Sequence, residues 1–364
     1  MKLLLFIETG GPGGAERVVL ELARGFLSRG IETHVLTFRT GWLTDRLKDE
    51  KINHSQLETN RRLDIGLPFR ISSFIQEQGI TVVHSHLLDS NFYGAMAAAL
   101  AGVGHVGTEH GDVHHTQGKK LLHSKLRLIS WCGSRLTAVS EFSRKHLLEL
   151  GFPSSKLSVV GNPLSDAAET SATSRNDIRT ELSIPPQEWV WAHVANLRPV
   201  KDQRTLLRGF AESLRHAPDQ TLLLIGDGPE LPALEALATE LGLGMKLKFC
   251  GFREDVASYL GASDGFILSS LSEALPMSLL EAAQSGLVLI ASSVGGIPEV
   301  IRDGETGFLF PAGDSNALGA LMTKLVSAPN EARESAHRAR REVLERFSLD
   351  RVLNQYLALY QLDT

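Results

Sequence analysis

The sequence has few cysteines, no long apolar run and no excess of positive charge. Its two cysteines, Cys132 and Cys250, lie far apart along the 364 residues. This spacing suggests neither a disulfide framework nor a zinc cluster, and it favours reduced thiols in a cytoplasmic setting. A formal net charge of −5 argues against a general nucleic-acid binder, whose domain would be basic. No apolar stretch approaches the length that spans a bilayer, and the run 3–7 is too short for a signal peptide.

The length and the alternation of patterns predict two α/β domains. A chain of 364 residues exceeds what one hydrophobic core usually serves. Short apolar runs alternate with helical patterns, which predicts parallel sheets covered on both faces by helices. The predicted strands are 3–7, 33–38, 52–57, 81–84, 103–108, 136–139, 157–160, 189–194, 221–225, 246–250, 265–268, 288–291 and 307–310.

A small, polar stretch at 165–175 predicts a linker between the two halves of the chain. We therefore predict a doubly wound, Rossmann-like domain at 1–164 and a second one at 165–347, facing each other across a cleft. The segment 348–364 has apolar residues at helical spacing and predicts a final helix. Ligands of such sheets bind beyond the carboxyl ends of the strands, so the loops that follow strands are the candidate sites.

The stretch 268–281, LSSLSEALPMSLLE, combines a strand end, a polar turn and the start of a helix. Its proline suits the first turn of a helix. The amides of Met277 and Ser278 would then lie at the positive end of the helix dipole, where anions bind. Glu273 lies in the turn and Glu281 follows eight positions later, on the face that carries these amides. Because carboxylates accept hydrogen bonds from vicinal hydroxyls, the stretch predicts a nucleotide-sugar site; the alternative is a chance pair of glutamates at a helix start.

With SSVGGIPEVI at 292–301 and DGETGFLF at 303–310, this E-x7-E pattern resembles the retaining glycosyltransferases of family 4, which have the GT-B fold. The resemblance covers nearly the whole chain. It implies that the second domain binds the nucleotide sugar, that the first binds the acceptor, and that 348–364 packs back on the first domain. It further implies that Glu281 binds the ribose diol and that Glu273 binds hydroxyls of the donor sugar.

The glycine loop 9–16, TGGPGGAE, follows the first predicted strand. Glycines let a backbone turn sharply and approach a ligand closely. The loop is not a dinucleotide fingerprint, because the third glycine position of G-x-G-x-x-G holds Glu16. In the resemblance, Gly13, Gly14 and Glu16 match the G-G-x-E of the family at the donor site. The alternative is a plain turn between a strand and a helix.

A group of histidines lies in the first half of the chain: His84, His86, His105, His110, His114 and His115. Histidines two apart on a strand could ligate a metal, but no cysteine or carboxylate stands at a recognisable spacing, and no metal is expected. His110 follows a predicted strand, in GTEHGD. The resemblance implies that His110 contacts the donor sugar; the alternative is that it supports another residue that does so.

The loop after the first strand of the second domain carries positive charge. Lys201 lies just past that strand, where a cation can neutralise a leaving diphosphate, and an arginine can do so bidentately. The family usually has an arginine where this chain has Asn196, and Arg198 is the nearest arginine. The resemblance implies that Lys201 and Arg198 stabilise the diphosphate, that Gly226 shapes the nucleotide pocket and that Arg253 lies in the base-holding loop. The alternatives for Lys201 and Arg253 are exposed charges near helix starts.

The segment 119–129, KKLLHSKLRLI, predicts a basic amphipathic helix. At about 100° per residue, one face carries Lys119, Lys120, His123 and Arg127, and the other carries Leu121, Leu122, Leu128 and Ile129. A helix of this kind can lie on an anionic membrane surface. The alternative is a surface helix that packs its leucines on its own domain.

These features predict a retaining glycosyltransferase that uses a UDP- or GDP-sugar without a metal or other cofactor. The expected acceptor is a glycan or a lipid-linked glycan of cell-surface polysaccharide or lipopolysaccharide biosynthesis. We expect a cytoplasmic protein, in peripheral contact with the inner face of the plasma membrane, that binds no nucleic acid. Two alternatives stay open: a GT-B epimerase that acts on a nucleotide sugar, and a catalytically silent subunit that binds one.

Overall fold

We describe a computed structural model of the chain, in which residues 1–59, 64–111, 121–165 and 174–361 are placed. The chain divides into two compact units, Met1–Ser165 with Phe347–Thr364, and Asp166–Arg346. Most of the stretch predicted as a linker lies outside the described residues. Each unit has its own parallel sheet with helices around it, so the prediction of two doubly wound α/β units is confirmed.

The sheet of unit 1 has the strand order β3-β2-β1-β4-β5-β6-β7. Its strands are β1 Lys2–Ile7, β2 Glu32–Thr37, β3 His54–Gln56, β4 Val82–His86, β5 Gly104–Glu109, β6 Arg135–Ala138 and β7 Leu157–Val159. Its helices are α1 Gly14–Ser28, α2 Trp42–Asp49, α3 Leu67–Glu77, α4 Leu88–Ala101, α5 Leu122–Trp131, α6 Glu141–Glu149 and α14 Leu349–Gln361. All pairings are parallel, as expected for apolar strands covered on both faces. The order changes direction between β1 and β4.

The C-terminal helix α14 lies on unit 1. Gly25 in α1 has no side chain, and this leaves room for the side chains of Leu349 and Leu353 in α14. Arg29 donates to the Asp350 carboxylate at 2.6 Å. The two places where the chain leaves and re-enters unit 1 are joined by a hydrogen bond, which the Leu164 amide donates to the Phe347 carbonyl at 2.8 Å.

The sheet of unit 2 has the order β10-β9-β8-β11-β12-β13, again fully parallel. Its strands are β8 Trp189–Val194, β9 Gln220–Ile225, β10 Leu247–Gly251, β11 Gly265–Leu268, β12 Val288–Ser292 and β13 Phe308–Phe310. Its helices are α7 Arg175–Glu181, α8 Gln203–His216, α9 Leu231–Glu240, α10 Val256–Gly261, α11 Met277–Gln284, α12 Ser315–Ser327 and α13 Pro329–Phe347. The order changes direction between β8 and β11, and this crevice is where such a sheet binds ligands.

The amphipathic helix predicted at 119–129 corresponds to α5, Leu122–Trp131. Residues 119 and 120 lie outside the described residues, and α5 begins at Leu122. Leu121 is 52% exposed, whereas Leu122, Leu126 and Ile129 are buried. Helix α5 therefore packs Leu122, Leu126 and Ile129 on its own unit, whereas Leu121, which precedes the helix, is exposed.

Among the described residues, no helix is both long and apolar enough to cross a membrane.

Candidate functional site

Two loops of unit 2 meet at the crevice between β8 and β11. These strands are parallel neighbours, with Trp191 opposite Gly265, so the loops after them leave from the same edge of the sheet. The Leu271 amide donates to the Val200 carbonyl at 2.8 Å, and the Ser269 hydroxyl donates to the Lys201 carbonyl at 2.9 Å. These hydrogen bonds fix the first loop against the second.

The centre of this crevice is an ion pair between Lys201 and Glu273. Lys201 Nζ lies 2.5 Å from Glu273 Oε1, and only 8% of Glu273 is exposed. The buried Ser270 hydroxyl donates to the same oxygen at 2.7 Å. Lys201 ends a short 3₁₀ helix, and Asp202 then caps α8 by accepting from the Thr205 amide at 3.3 Å. A charged pair with a shared acceptor therefore stands at the switch point of the sheet.

The loop after β12 packs against the backbone of Glu273 and donates a hydrogen bond to it. Gly295 has φ +56°, and a Cβ on it would lie 1.7 Å from the Glu273 carbonyl oxygen. The next amide, that of Gly296, donates to the same carbonyl at 3.1 Å. The Ser292 hydroxyl donates to the Ser270 carbonyl at 2.5 Å. Glycine is required at 295 by both its backbone conformation and the close approach of the neighbouring chain.

Helix α11 begins one residue later than the sequence indicated. Pro276 is its N-cap, with an extended ψ of 121°, and Met277 is the first helical residue. Proline fixes φ but not ψ, so it fits the residue before a helix as well as the first turn. The first amides of a helix have no intrahelical acceptor, so those of Met277 and Ser278 point out of the positive end. Glu281 is half-buried, one turn further along this helix.

The loops after β8 and β9 touch at Gly226. Its φ is +136°, and a Cβ there would lie 2.0 Å from the Ala195 carbonyl oxygen. Asn196 and Arg198 follow in the β8 loop with exposed side chains. The buried Gln203 amide donates to the Asn196 carbonyl at 3.1 Å. The loop backbone is thus held firmly while the side chains of Asn196 and Arg198 face solvent.

Arg253 in the loop after β10 is engaged by its own unit. Its Nε donates to the Cys250 carbonyl at 2.9 Å, and its guanidinium carbon lies 5.2 Å from the centre of the Tyr259 ring. The neighbouring Phe252 is 46% exposed. The loop therefore presents an arginine already stacked on one aromatic ring, next to an exposed aromatic side chain.

His110 lies in unit 1, after β5. Its Nε2 lies 2.9 Å from His86 Nδ1, and the two rings stack with centroids 5.2 Å apart. Burial lowers the pKa of His110 to about 4, against a smaller raising effect of a hydrogen bond with the Asn162 side chain. His110 is therefore a neutral imidazole at physiological pH, with one donor and one acceptor nitrogen and no charge. His114 and His115 lie outside the described residues.

The other histidines of this group form a buried hydrogen-bond network. His84 Nδ1 lies 2.7 Å from the Tyr360 hydroxyl of α14, and His84 Nε2 lies 2.7 Å from the Thr108 hydroxyl. His105 Nε2 lies 2.7 Å from the Ser85 hydroxyl. No group of three or more histidine, cysteine or acidic side chains within the described residues is arranged to hold a metal ion.

The glycine loop of unit 1 ends at the start of α1. Gly13 is the N-cap of this helix, and Gly14 is its first residue. The Glu16 carboxylate folds back over Gly13, since a Cβ on Gly13 would lie 2.3 Å from Glu16 Oε2. A buried carboxylate at this position already satisfies the positive end of α1.

Sequence reasoning missed the residues that hold the site residues in place. Ser270 precedes Glu273 by three positions, a local spacing that could have drawn attention to it. The buried His193 has its Nδ1 2.9 Å from the Ile267 carbonyl and its Nε2 3.3 Å from the Gln203 side chain. Gln203 in turn donates to the Asn196 carbonyl of the loop after β8. No local pattern marks these two, because their partners come from β11 and from the loop after β8.

Comparisons with known proteins identify the family. The model of the glycosyl transferases group 1 matches residues 174–343, and that of glycosyltransferase family 4 matches residues 12–167. N-acetyl-alpha-D-glucosaminyl L-malate synthase of Bacillus anthracis is 28% identical over 96% of this chain and 93% of that protein. The UDP-Gal:alpha-D-GlcNAc-diphosphoundecaprenol alpha-1,3-galactosyltransferase of Escherichia coli is 26% identical over 83% of this chain and 81% of that protein.

The fold matches known structures over the full length. HepE of Anabaena, solved in complex with UDP, superposes with a TM-score of 0.87 at 23% identity, over 99% of this chain and 100% of that one. The resemblance predicted from the sequence motifs is thereby confirmed at the level of family and fold. The chain belongs to the group 1, family 4 glycosyltransferases and has the GT-B fold.

Proposed function

We propose that this protein transfers a sugar from a nucleoside diphosphate sugar to a hydroxyl acceptor, with retention of anomeric configuration. The proposal rests on the ion pair between Lys201 and Glu273, whose Nζ and Oε1 atoms lie 2.5 Å apart at the switch point of unit 2. Glu273 lies in the turn that leads into helix α11. A carboxylate for hydroxyl groups, a cation and outward-pointing amides stand together there. These are the groups that a sugar diphosphate requires.

In this proposal, the leaving diphosphate is stabilised without a metal. Charge develops on the departing phosphate oxygen as the sugar leaves. Lys201 and Arg198 supply positive charge, and the amides of Met277 and Ser278 donate hydrogen bonds. Groups held in place before the reaction stabilise such charge with little reorganisation. Glu281 accepts hydrogen bonds from the ribose diol, and Arg253 lies in the loop that holds the base.

Retention is proposed to occur on the front face of the sugar. A double displacement would need a carboxylate nucleophile beneath the anomeric carbon, whereas the proposal assigns Glu273, held by Lys201 and Ser270, to hydroxyl groups of the donor sugar. The acceptor hydroxyl then attacks from the side that the diphosphate leaves, and a phosphate oxygen takes its proton. Glu273 binds hydroxyl groups of the donor sugar. The family resemblance is the ground for proposing that the neutral His110, Gly13 and Gly14 also contribute to donor binding.

The donor is proposed to be a UDP- or GDP-sugar, and the acceptor a glycan or a lipid-linked glycan of the cell surface. The solved relative from Anabaena binds UDP, and the E. coli relative acts on a diphosphoundecaprenol-linked sugar, as their names state. The B. anthracis relative is named for an L-malate product. Family members thus differ in acceptor, and the loops of unit 1 are the variable part of the scaffold.

Helix α5 fits a peripheral contact with an anionic membrane that presents such a lipid-linked acceptor. Trp131 at its end is 83% exposed, and Leu121 just before it is 52% exposed. Arg127 between them is exposed as well. Co-sedimentation with phosphatidylglycerol vesicles tests this part of the proposal, which requires that Trp131→Ala and Arg127→Glu each reduce the bound fraction.

Thermal stabilisation by UDP, GDP, ADP and CMP tests the nucleotide site. A ligand that binds only the folded protein raises the melting temperature as its concentration exceeds Kd. We expect one diphosphate to raise it and Glu281→Ala to remove the rise. Glu240→Ala, an exposed glutamate at the end of α9, is the matched control and should respond like the wild type.

The reaction class is tested with the matching nucleotide sugars. Nuclear magnetic resonance of the product gives the configuration at the new bond, and retention supports the proposal. Inversion contradicts it, as does conversion of the donor to an epimer. If none of the four nucleotides stabilises the protein, or if Glu281→Ala responds like the wild type, the site assignment is wrong.

A further inference from the structure

The hydrogen bonds around Glu273 distinguish its two carboxylate oxygens. Lys201 Nζ lies 2.5 Å from Oε1, and the Ser270 hydroxyl donates to the same oxygen at 2.7 Å. Within the described part of the chain, the hydrogen bonds to this carboxylate end at Oε1, and Oε2 has no protein partner. An ionised carboxylate has about four acceptor sites, so Oε2 keeps its full capacity for hydroxyl groups.

Ser270 is itself held in place from two sides. It is fully buried at the carboxyl end of β11, and its own carbonyl accepts a hydrogen bond from the Ser292 hydroxyl at 2.5 Å. Ser292 ends β12, the neighbouring strand of the sheet. Ser270 lies two residues after the end of β11, and the hydrogen bond from Ser292 fixes its backbone against the neighbouring strand.

We infer that Ser270 is a positioning residue: its hydroxyl holds Glu273 so that Oε1 serves Lys201 and Oε2 faces the sugar of the donor. This inference rests on the proposed function, in which Glu273 binds donor hydroxyls. Without the Ser270 hydroxyl, Lys201 alone determines the orientation of the carboxylate. Because the lysine stem rotates freely, the carboxylate can turn towards it with either oxygen or with both.

The prediction separates the sugar from the nucleotide. Among the described residues, the Ser270 hydroxyl donates to Glu273 and its carbonyl accepts from Ser292, so Ser270→Ala should leave the Kd of the bare diphosphate within about twofold of the wild type. It should weaken the matching nucleotide sugar roughly ten- to hundredfold, the range expected for a lost hydrogen bond to a charged group. Turnover of that donor should fall by a similar factor.

Isothermal titration with UDP, UDP-glucose, UDP-galactose, UDP-N-acetylglucosamine, GDP and GDP-mannose measures these constants. The matched control is Ser263→Ala, because Ser263 is also buried in unit 2 and its hydroxyl donates to a backbone carbonyl, that of Tyr259, at 2.8 Å. It precedes β11 at the opposite edge of the sheet. Both variants lose one buried hydroxyl, so both should lose a similar amount of stability.

The inference is supported if Ser270→Ala changes the ratio of nucleotide-sugar to nucleotide affinity while Ser263→Ala does not. An unchanged ratio and turnover in Ser270→Ala overturn it, and so does an equal weakening of the diphosphate and its sugar. Nucleotide binding that depends on Glu281 would leave the proposed function standing in those cases. If the wild type binds no nucleotide of this set, the proposed function fails first.

Discussion

The Lys201 ammonium and the Glu273 carboxylate lie 2.5 Å apart although 72 positions separate them in the chain. They lie in the loops that follow the neighbouring strands β8 and β11, at the point where the strand order of the sheet changes direction. The two side chains form an ion pair in a partly buried site, where an unpaired charge would be costly. A ligand that carries both hydroxyl groups and phosphate can engage the two of them together.

Replacing Lys201 with alanine should abolish most of the turnover. The variant removes a cation from the leaving group, and a loss of about 100- to 1000-fold is typical for one preorganised electrostatic contact. It also leaves Glu273 buried without its cation, which we expect to destabilise unit 2 by roughly 1–3 kcal/mol. Turnover of the matching nucleotide sugar and the melting temperature measure the two effects.

Lys246→Ala is the matched control for this substitution. Lys246 pairs with the buried Glu188 at 2.6 Å, and both precede strands at the amino edge of the same sheet. Its loss should lower the melting temperature similarly while turnover stays within about twofold of the wild type. An equal loss of turnover in both variants would show that Lys201 acts through stability alone.

Gly295→Ala should displace the turn that carries Glu273. A methyl group there would lie 1.7 Å from the Glu273 carbonyl oxygen, and φ is +56°. Strain of this kind costs roughly 1–3 kcal/mol or more, and the backbone of Glu273 has to move. We expect a lower melting temperature and weaker nucleotide-sugar binding. Gly261→Ala is the control, since no atom lies within 4 Å of its Cβ position, and it should change neither.

Arg198 should contribute to turnover but not to stability. Its side chain is exposed, and in the described parts of the chain no hydrogen bond or ion pair of its guanidinium is seen. Arg198→Ala should therefore change the free energy of unfolding by less than about 0.5 kcal/mol. Turnover should fall by roughly tenfold or more, as expected when one charge-assisted hydrogen bond is lost. Kinetics with saturating acceptor and the melting curve separate the two quantities.

Asn196→Arg in the Arg198→Ala background completes this test. The family resemblance puts an arginine at 196, and both side chains leave the same loop next to Lys201. If Arg198 supplies the missing guanidinium, the added arginine should recover part of the lost turnover. No loss in Arg198→Ala would contradict its role, whatever the double variant does.

Much of the framework of this site was readable from the sequence. The strands are buried on both faces by the helices between them, so each strand appears in the sequence as a short run of apolar residues. The motifs of the turn after β11 also marked Glu273, Met277, Ser278 and Glu281 before any coordinates. The contact between Lys201 and Glu273 depends on the order of the strands in the sheet, which places β8 next to β11. The apolar runs of the sequence do not show this order.

What the sequence did not show depends on contacts between distant segments. His84 meets Tyr360 across 276 positions, and Ser292 supports Ser270 only because β11 and β12 are neighbours. Periodicity alone also left open which leucines of 119–129 pack on unit 1, and the start of α5 at Leu122 decides this. Supporting residues have few sequence signals of their own, since the tertiary fold brings their partners to them.

The buried histidines of unit 1 make its stability depend on pH. Burial lowers the pKa of His105 to about 3 and that of His110 to about 4, and it lowers those of His84 and His86 well below 6.5. Between these values and 6.5, the unfolded chain binds protons that the folded unit does not. The stability of unit 1 is therefore complete above about pH 6.5 and falls as the pH falls towards 4.

At pH 5, His105 and His110 should each cost about 2 kcal/mol, because their pKa values of about 3 and about 4 lie below 5 and 1.5 pH units below 6.5 correspond to roughly that free energy. Hydrogen exchange of β4 and β5 peptides between pH 7 and 4.5, corrected for intrinsic rates, measures the stability of unit 1 separately from that of unit 2. His105→Gln should remove the contribution of one proton from this dependence, even if it lowers stability at pH 7. His216→Gln is the control, because His216 lies on α8 in unit 2 and its replacement changes no group of unit 1. A slope in His105→Gln equal to that of the wild type would show that His105 already takes up its proton in the folded unit.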